Sequence, residues 1–250
     1  MAVAPHPPAS DWPRALRILG LALRPPLFLA AAGLAAFALV AGSARLMRMR
    51  GLSLWGFPFS GFDEAERYGL TLSVLPLPIV AALVIWRARR RYGAGWARAL
   101  GCVAPPPGAA LPLALLLWPV LHLSWISLLA ILSGRTPASV FQLPHWLHGA
   151  SLAVWLAWLV VLAPMAEELV FRGDLFARAR GVLGAGATVV LSGGLFALGH
   201  GWSTLAQPLG VLPLGLALGL VRARTGSLWA CMALHAVNNG AIVLAMLARA

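Results

Sequence analysis

Uncharged, largely apolar runs recur along the whole chain, and most have about the length of a membrane-crossing helix. Such a helix needs about 20 residues to cross a hydrocarbon core of ~30 Å. The runs predict seven spans, namely residues 25–44, 68–86, 109–132, a fourth from residue 149, two within 181–221, and 225–248. The pattern therefore predicts an all-α fold, a polytopic transmembrane helical bundle.

Three of these runs need interpretation. Pro76 and Pro78 interrupt the second run, so neighbouring helices would have to accommodate them. The run 181–221 is too long for one crossing, and we expect its break at residues 199–203, with Pro208 beyond. The first run could instead belong to a signal peptide, but it exceeds the roughly 7–15 apolar residues of such peptides. We interpret it as an uncleaved first helix.

Composition narrows the class of protein. Hydrophobic residues make up 60% of the chain and charged residues 10%, which leaves no room for a soluble catalytic domain. The formal net charge is +12, and 13 of the 19 arginines fall on one set of alternate connections, beginning with the N-terminal segment. This distribution is the positive-inside pattern of a membrane protein rather than a nucleic-acid patch. It predicts a cytoplasmic N-terminus and, with seven spans, an external C-terminus.

The residue types that are rare or absent carry further information. The chain has no lysine and is rich in alanine and arginine, which is typical of a GC-rich bacterial genome. The bacterial cytoplasmic membrane is therefore the expected location. Cys102 and Cys231 form no CxxC motif and have no companion histidine pair, so neither a disulfide framework nor a thiolate metal site is indicated.

Two adjacent acids, Glu167 and Glu168, continue the fourth apolar run. A carboxylate at membrane depth costs ~3 kcal/mol or more, so an acid within a span indicates function, unless the helix ends there among headgroups. Glu168 and Arg172 are four residues apart in the favourable acid-first order and can pair on one helix face. Glu167 points about 100° away. The sequence thus predicts a neutralised carboxylate beside a free one suited to acid–base chemistry.

Later apolar runs contain histidines that could join this site. His235 and Asn239 are four residues apart, so an imidazole and a carboxamide project from one helix face and could hold a developing oxyanion. His200 follows Phe196 by four residues. The ring of Phe196 is a candidate substrate contact, with core packing as the equal alternative.

These groups can meet only if the fourth helix continues past the glutamates and turns at Gly181. Glu167 then lies roughly 20 Å from the turn, and His200 lies roughly 24 Å along the returning helix. His235 and Asn239 lie some 16 and 22 Å into the last span. The sequence therefore predicts an active site in an intramembrane cavity, approached from the cytoplasmic side.

Three motifs in this region resemble those of one family. Residues 167–173, EELVFRG, resemble the EExxxR motif of the CPBP family, which comprises the CAAX proteases and the bacteriocin-processing or self-immunity proteins. FALGH at 196–200 resembles the family's FxxxH, and HAVNN at 235–239 resembles its HxxxN. Any one motif is weak evidence, but three in the expected order on separate helices are specific.

The resemblance implies an all-helical intramembrane glutamic endopeptidase. Glu167 and His200 would activate a water. His235 and Asn239 would stabilise the tetrahedral oxyanion, while the Glu168–Arg172 pair would support the first glutamate. No cofactor is expected, with zinc on Glu167, His200 and His235 as the alternative. Eukaryotic members are commonly described with eight spans, and an eighth span here would reverse the side of the C-terminus.

The motifs also suggest how the chain is organised. We expect residues 1–148 to form an N-terminal tail and three spans, and residues 149–250 to form the catalytic helical core with four. The expected partners are the lipid bilayer and a peptide or protein substrate cleaved near a membrane-embedded or lipid-modified end. In a bacterium, the family name does not identify that substrate.

Two other classes of function remain as alternatives. The first is a proteolytically silent immunity protein or scaffold, although intramembrane hydrogen bonds average only ~0.6 kcal/mol, a small return for burying two acids and two histidines. The second is a proton-coupled transporter, for which we would expect internal inverted symmetry that the sequence does not show.

Overall fold

The computed structural model describes residues 12–49, 75–107, 110–143, 149–200 and 206–249. Its main elements are helices, in chain order α1 (Trp12–Met49), α2 (Pro76–Tyr92), α3 (Trp96–Leu100), α4 (Leu111–Leu132), α5 (149–183), α6 (Ala185–Leu198), α7 (Ala206–Thr225) and α8 (Leu228–Leu247). No strand occurs within these ranges, and the predicted all-α bundle is confirmed. Residues 68–74 of the second predicted span and 201–203 of the predicted break lie outside the described residues.

In the described part of the chain, five helices are long and apolar enough to cross a membrane, and they lie in α1, α4, α5, α7 and α8. The chain is therefore an integral membrane protein. α2 and α6 occupy the second and fifth predicted spans but have only 17 and 14 residues. At 1.5 Å per residue α6 is about 21 Å long, less than the ~30 Å hydrocarbon core. A helix of that length that starts at one membrane surface ends inside the bilayer.

The long helix α5 continues past the glutamates, as the convergence of the motifs required. It contains two π-helical segments, Trp158–Leu162 and Leu169–Leu175. The turn predicted at Gly181 is wrong by three residues, because α5 ends at Leu183 and the chain reverses at Gly184. Gly184 has φ of 77°, a conformation that glycine adopts without steric cost, whereas Gly181 fits within the helix.

Prolines mark two further differences from the expected boundaries. α1 begins at Trp12 and runs through Pro25 and Pro26, where the sequence predicted that the span would begin. Leu21 is buried in the core, so packing stabilises the turns before the prolines. α2 begins at Pro76, where the missing N–H needs no intrahelical acceptor. The prolines of the second run therefore start the described helix and do not interrupt it.

The core lies where α5 packs against α2, α6, α7 and α8. α6 and α7 cross in direct backbone contact at Gly193 and Gly215, where a Cβ added to Gly215 would lie 2.6 Å from the Gly193 carbonyl oxygen. Small residues allow such close approach of membrane helices. The contact leaves the Gly215 carbonyl facing α5, where it accepts a hydrogen bond from Arg172.

The orientation predicted from the arginines can be tested at Arg90, near the end of α2, and Arg135, just beyond α4, which are both exposed. The two native cysteines could also react with the label. Cys231 is buried, and burial raises the pKa of the Cys102 thiol, so both should react weakly. Replacing Cys102 by serine removes the labelling that it could still contribute. In that protein we expect Arg90→Cys to react with an impermeant maleimide from the cytoplasmic side and Arg135→Cys from the outside. Labelling in the opposite sense would overturn the orientation.

Candidate active site

The motif residues come from three helices and meet in the core of the bundle. α5 carries both glutamates and Arg172, the residue two positions after α6 is His200, and α8 carries His235 and Asn239. Direct contacts join six of the sequence-predicted residues, namely Glu167, Glu168, Arg172, Phe196, His200 and His235. The hydrogen bonds of Asn239, on the same helix as His235, are instead to Leu159 and Asn238.

Glu168 is the most enclosed of these groups, with none of its side chain exposed. Its Oε1 accepts hydrogen bonds from Arg172 Nη1 at 3.0 Å and from His235 Nδ1 at 3.0 Å. Arg172 is equally buried, and its Nη2 donates to the Gly215 carbonyl at 2.6 Å. The predicted i,i+4 pair is thus present. Its additional contact with His235 was not predicted, and it links α5 to α8 through a charged group.

Glu167 has a different environment, although it is the next residue in the helix. Its side chain is 18% exposed, and its Oε2 lies 3.8 Å from His235 Nε2. His235, with 3% exposure, therefore stands between the two carboxylates, one at each ring nitrogen. The described structure separates a buried, multiply bonded carboxylate from a more accessible one that faces an imidazole.

Phe196 joins His200 to the rest of the group. Its ring centroid lies 4.8 Å from that of His200 and 5.5 Å from that of His235. The Arg172 guanidinium lies 4.6 Å from the same centroid, a cation–π distance. Phe196 is fully buried, so the packing interpretation explains its contacts and no ring surface remains exposed for a substrate. His200 Nδ1 lies 2.8 Å from the Phe196 carbonyl oxygen.

Asn239 is held by a carbonyl that the first π-helical segment of α5 makes available. Asn239 Nδ2 donates to the Leu159 carbonyl at 2.9 Å. Within the helix, the Ala163 N–H bonds to Trp158 and so bypasses Leu159. The next residue, Pro164, has no N–H to offer. The π turn and the proline together leave the Leu159 carbonyl free for a side chain on α8.

Several residues around Asn239 were not predicted from the sequence to belong to the site. Asn238 donates from Nδ2 to Asn239 Oδ1 at 3.3 Å. Asn238 Oδ1 in turn lies 3.1 Å from Trp118 Nε1 and 2.7 Å from His122 Nδ1, both on α4. A signal was present, since the rule that polar residues in a membrane span indicate function applies to His122 and Asn238 as well as to the glutamates.

Arg222 has a structural role that was not predicted from its position near a loop. It is buried, its Nε donates to the Arg172 carbonyl at 2.9 Å, and its Nη2 donates to the Leu100 carbonyl at 3.1 Å. A further bond reaches the Gly226 carbonyl. Gly101 permits this packing, since a Cβ there would overlap the guanidinium. Arg222 fixes the chain around Arg172 to the neighbouring segments.

Two concave surfaces lie beside the motif residues. A cavity of about 440 Å³ is lined in part by His200, Gln207 and Arg135. An apolar groove of about 670 Å³ runs between α4 and α7, and its lining includes Trp118 and Leu234. Among the described residues, no three His, Cys, Asp or Glu side chains are arranged to hold a metal ion.

The comparisons with known proteins agree with the motifs. A family model described as type II CAAX prenyl endopeptidase Rce1-like matches residues 149–241, a segment that contains all three motifs. No curated protein and no solved structure matches the chain. The match over residues 149–241 confirms the resemblance to the CAAX proteases seen in the sequence, and that family implies a peptide hydrolase in a membrane.

Proposed function

We propose that this chain is an intramembrane glutamic endopeptidase in which Glu167 and His200 activate the attacking water. The contrast between the adjacent glutamates carries the proposal. Glu168 is fully buried and bonded to Arg172 and His235, whereas Glu167 is 18% exposed and approaches His235 at 3.8 Å. The Glu168 carboxylate is held in a buried ion pair, and the Glu167 carboxylate remains accessible to water and substrate.

Glu167 is suited to move the protons of peptide hydrolysis. As general base its carboxylate takes a proton from the water whose oxygen attacks the peptide carbonyl. The carbon–nitrogen bond of the tetrahedral intermediate then breaks, and the same carboxyl returns the proton to the leaving amine. No covalent bond to the protein forms in this sequence.

His200 is held in the tautomer that this step needs. The Phe196 carbonyl can only accept, so Nδ1 of His200 must carry the proton in their 2.8 Å hydrogen bond. In the neutral ring Nε2 is then an acceptor, and His200 lines the 440 Å³ cavity. A water in that cavity can donate to Nε2 while it orients a lone pair toward a substrate carbonyl.

The proposed donors to the oxyanion are His235 and Asn239 on α8. Asn239 Nδ2 carries two hydrogens, and the bond to the Leu159 carbonyl uses one of them. The other can donate to the oxyanion. His235 already donates from Nδ1 to Glu168, so it can also donate from Nε2 only when both ring nitrogens carry a proton. The Glu168 carboxylate is the counter-charge for that state.

The groove between α4 and α7 supports a proposal for the substrate class. Its lining is mostly apolar, with Arg224 near one end, and it reaches Leu234, the neighbour of His235. Such a surface favours a hydrophobic or lipid-modified peptide end over a polar soluble peptide. We therefore propose cleavage near a membrane-embedded or lipid-modified end.

The function can be tested without a known substrate by comparing the peptide termini found in membranes with and without the protein. Membranes that contain the intact protein should show at least one new peptide end that is absent where the protein is missing. Such a peptide provides the substrate for kinetic work. Identical sets of ends would favour a silent immunity protein or scaffold instead.

We further predict that the protein acts without a metal. A catalytic zinc takes three protein ligands, and among the described residues no three His, Cys, Asp or Glu side chains are arranged to hold a metal ion. We expect purified protein to lack stoichiometric zinc and to retain activity in EDTA. One equivalent of metal that is lost together with activity in His200→Ala, and that restores activity when added to wild-type apoprotein, would overturn this prediction.

A further inference from the structure

A buried histidine on α4, outside the family segment, is connected to the motif residues through a chain of hydrogen bonds. His122 is 1% exposed and lies within a span that is otherwise almost entirely apolar. Its Nδ1 lies 2.7 Å from Asn238 Oδ1, and its Nε2 lies 2.9 Å from the Gly210 carbonyl oxygen. Burying such a group in a membrane helix is costly, so an imidazole held by two partners indicates a specific role.

The neighbouring tryptophan fixes the direction of this hydrogen bonding. The indole N–H of Trp118 can only donate, and it points at Asn238 Oδ1 at 3.1 Å. The oxygen of Asn238 therefore faces α4 and accepts from His122 Nδ1 when that nitrogen carries a proton. A simultaneous bond from Nε2 to the Gly210 carbonyl requires a proton on both ring nitrogens. The Trp118 and His122 rings stack, with centroids 5.7 Å apart, which holds both donors in place.

The orientation of Asn238 in turn determines that of Asn239. With its oxygen toward α4, Asn238 presents its amide nitrogen to Asn239 Oδ1 at 3.3 Å. Asn239 is then oriented with its own nitrogen toward the Leu159 carbonyl, 2.9 Å away. A flipped Asn239 would bring two oxygens together at Leu159 and two amide groups together at Asn238.

We propose that His122 is a positioning residue, which acts through Asn238 to hold the Asn239 carboxamide so that its second N–H, the one not bonded to Leu159, faces the reacting carbonyl. This inference rests on the proposed role of Asn239 as an oxyanion donor. Loss of one such donor typically lowers kcat by about 10²–10³-fold. Loss of its alignment has a smaller effect, and we expect His122→Phe to lower kcat by about 10-fold to 10²-fold with little change in KM.

A double-mutant cycle on the reconstituted full chain tests the connection. The cycle compares the wild type with His122→Phe, Asn239→Ala and the double variant. The substrate is the peptide identified by comparing peptide termini in membranes with and without the protein. If His122 acts through Asn239, the histidine substitution changes kcat less than about twofold once Asn239 is gone. His122→Asn, whose side-chain nitrogen can replace Nδ1 as donor, should restore most of the lost kcat.

Trp125→Phe is the matched control. Trp125 is on the same helix and donates to the Leu209 carbonyl, which Pro213 leaves without its usual helical donor, but it has no link to Asn238. Its replacement should leave kcat unchanged. Thermal unfolding of each variant separates positioning from folding, since the fall in kcat should persist when rates are corrected for the folded fraction.

The outcomes separate this inference from the proposed function. An inactive Asn239→Ala with a fully active His122→Phe, or multiplicative losses in the double variant, would overturn the positioning role alone. A fully active Asn239→Ala would overturn both that role and the proposed oxyanion donor.

Discussion

Replacement of Glu167 by glutamine is expected to lower turnover about 10²–10⁴-fold or more while the protein still folds. The amide keeps the shape of the side chain but cannot accept the proton of the attacking water. The side chain is 18% exposed and approaches His235 only to 3.8 Å, so no tight contact is lost. Steady-state cleavage by protein in liposomes would measure the effect, with substrate concentrations above and below KM to separate kcat from KM.

The thermal unfolding midpoint provides the control for that result. It should match that of the wild type, because the substitution removes function and leaves the buried pair of the next residue intact. If Glu167→Gln cleaved the peptide as fast as the wild type, Glu167 could not be the general base.

The same substitution one residue later should instead reduce stability. Glu168→Gln removes a fully buried charge that accepts hydrogen bonds from Arg172 and His235. It leaves the Arg172 guanidinium without its counter-ion inside the membrane, and breaking a buried pair in this way costs about 3–5 kcal/mol. We expect a large loss in the free energy of unfolding, measured by denaturation in detergent micelles, and a lower yield of inserted protein.

Asp174→Asn on the same helix is a matched comparison. Asp174 forms an i,i+4 pair with Arg178, as Glu168 does with Arg172, and the charge of Arg24 also acts on its carboxylate, whereas the second partner of Glu168 is His235. Both side chains of that pair are slightly exposed, at 6% and 8%. Its loss should therefore cost less. Equal effects of the two substitutions would mean that the contact between Glu168 and His235 contributes nothing.

The chain's helices and the positions of its motifs could be predicted because they depend on local periodicity. The pairing of Glu168 with Arg172 follows from four-residue spacing on a helix, and that spacing survives although the π segment begins at Leu169. The continuation of α5 past the glutamates followed from the need for the motifs to meet. Their prediction required only the rise and twist per residue of a regular helix.

The surroundings of Asn239 could not be predicted in the same way. The Leu159 carbonyl is available only because a π turn and Pro164 remove its helical donors, and no pattern in the apolar run indicated the π turn. The contact between His122 and Asn238 joins residues 116 positions apart, so it depends on how α4 packs on α8. Local spacing carries no information about such a contact.

The direct attack of water assisted by Glu167 is the central claim, and isotope labelling in a single turnover tests it. Wild-type protein in excess would cleave the peptide in H₂¹⁸O while the masses of product and intact protein are followed. If Glu167 is a general base, the new carboxyl group gains one ¹⁸O in the first turnover and the mass of the protein never changes. A covalent acyl-protein adduct, or ¹⁸O in the Glu167 carboxylate, would show that a protein side chain attacks the substrate and would contradict the claim.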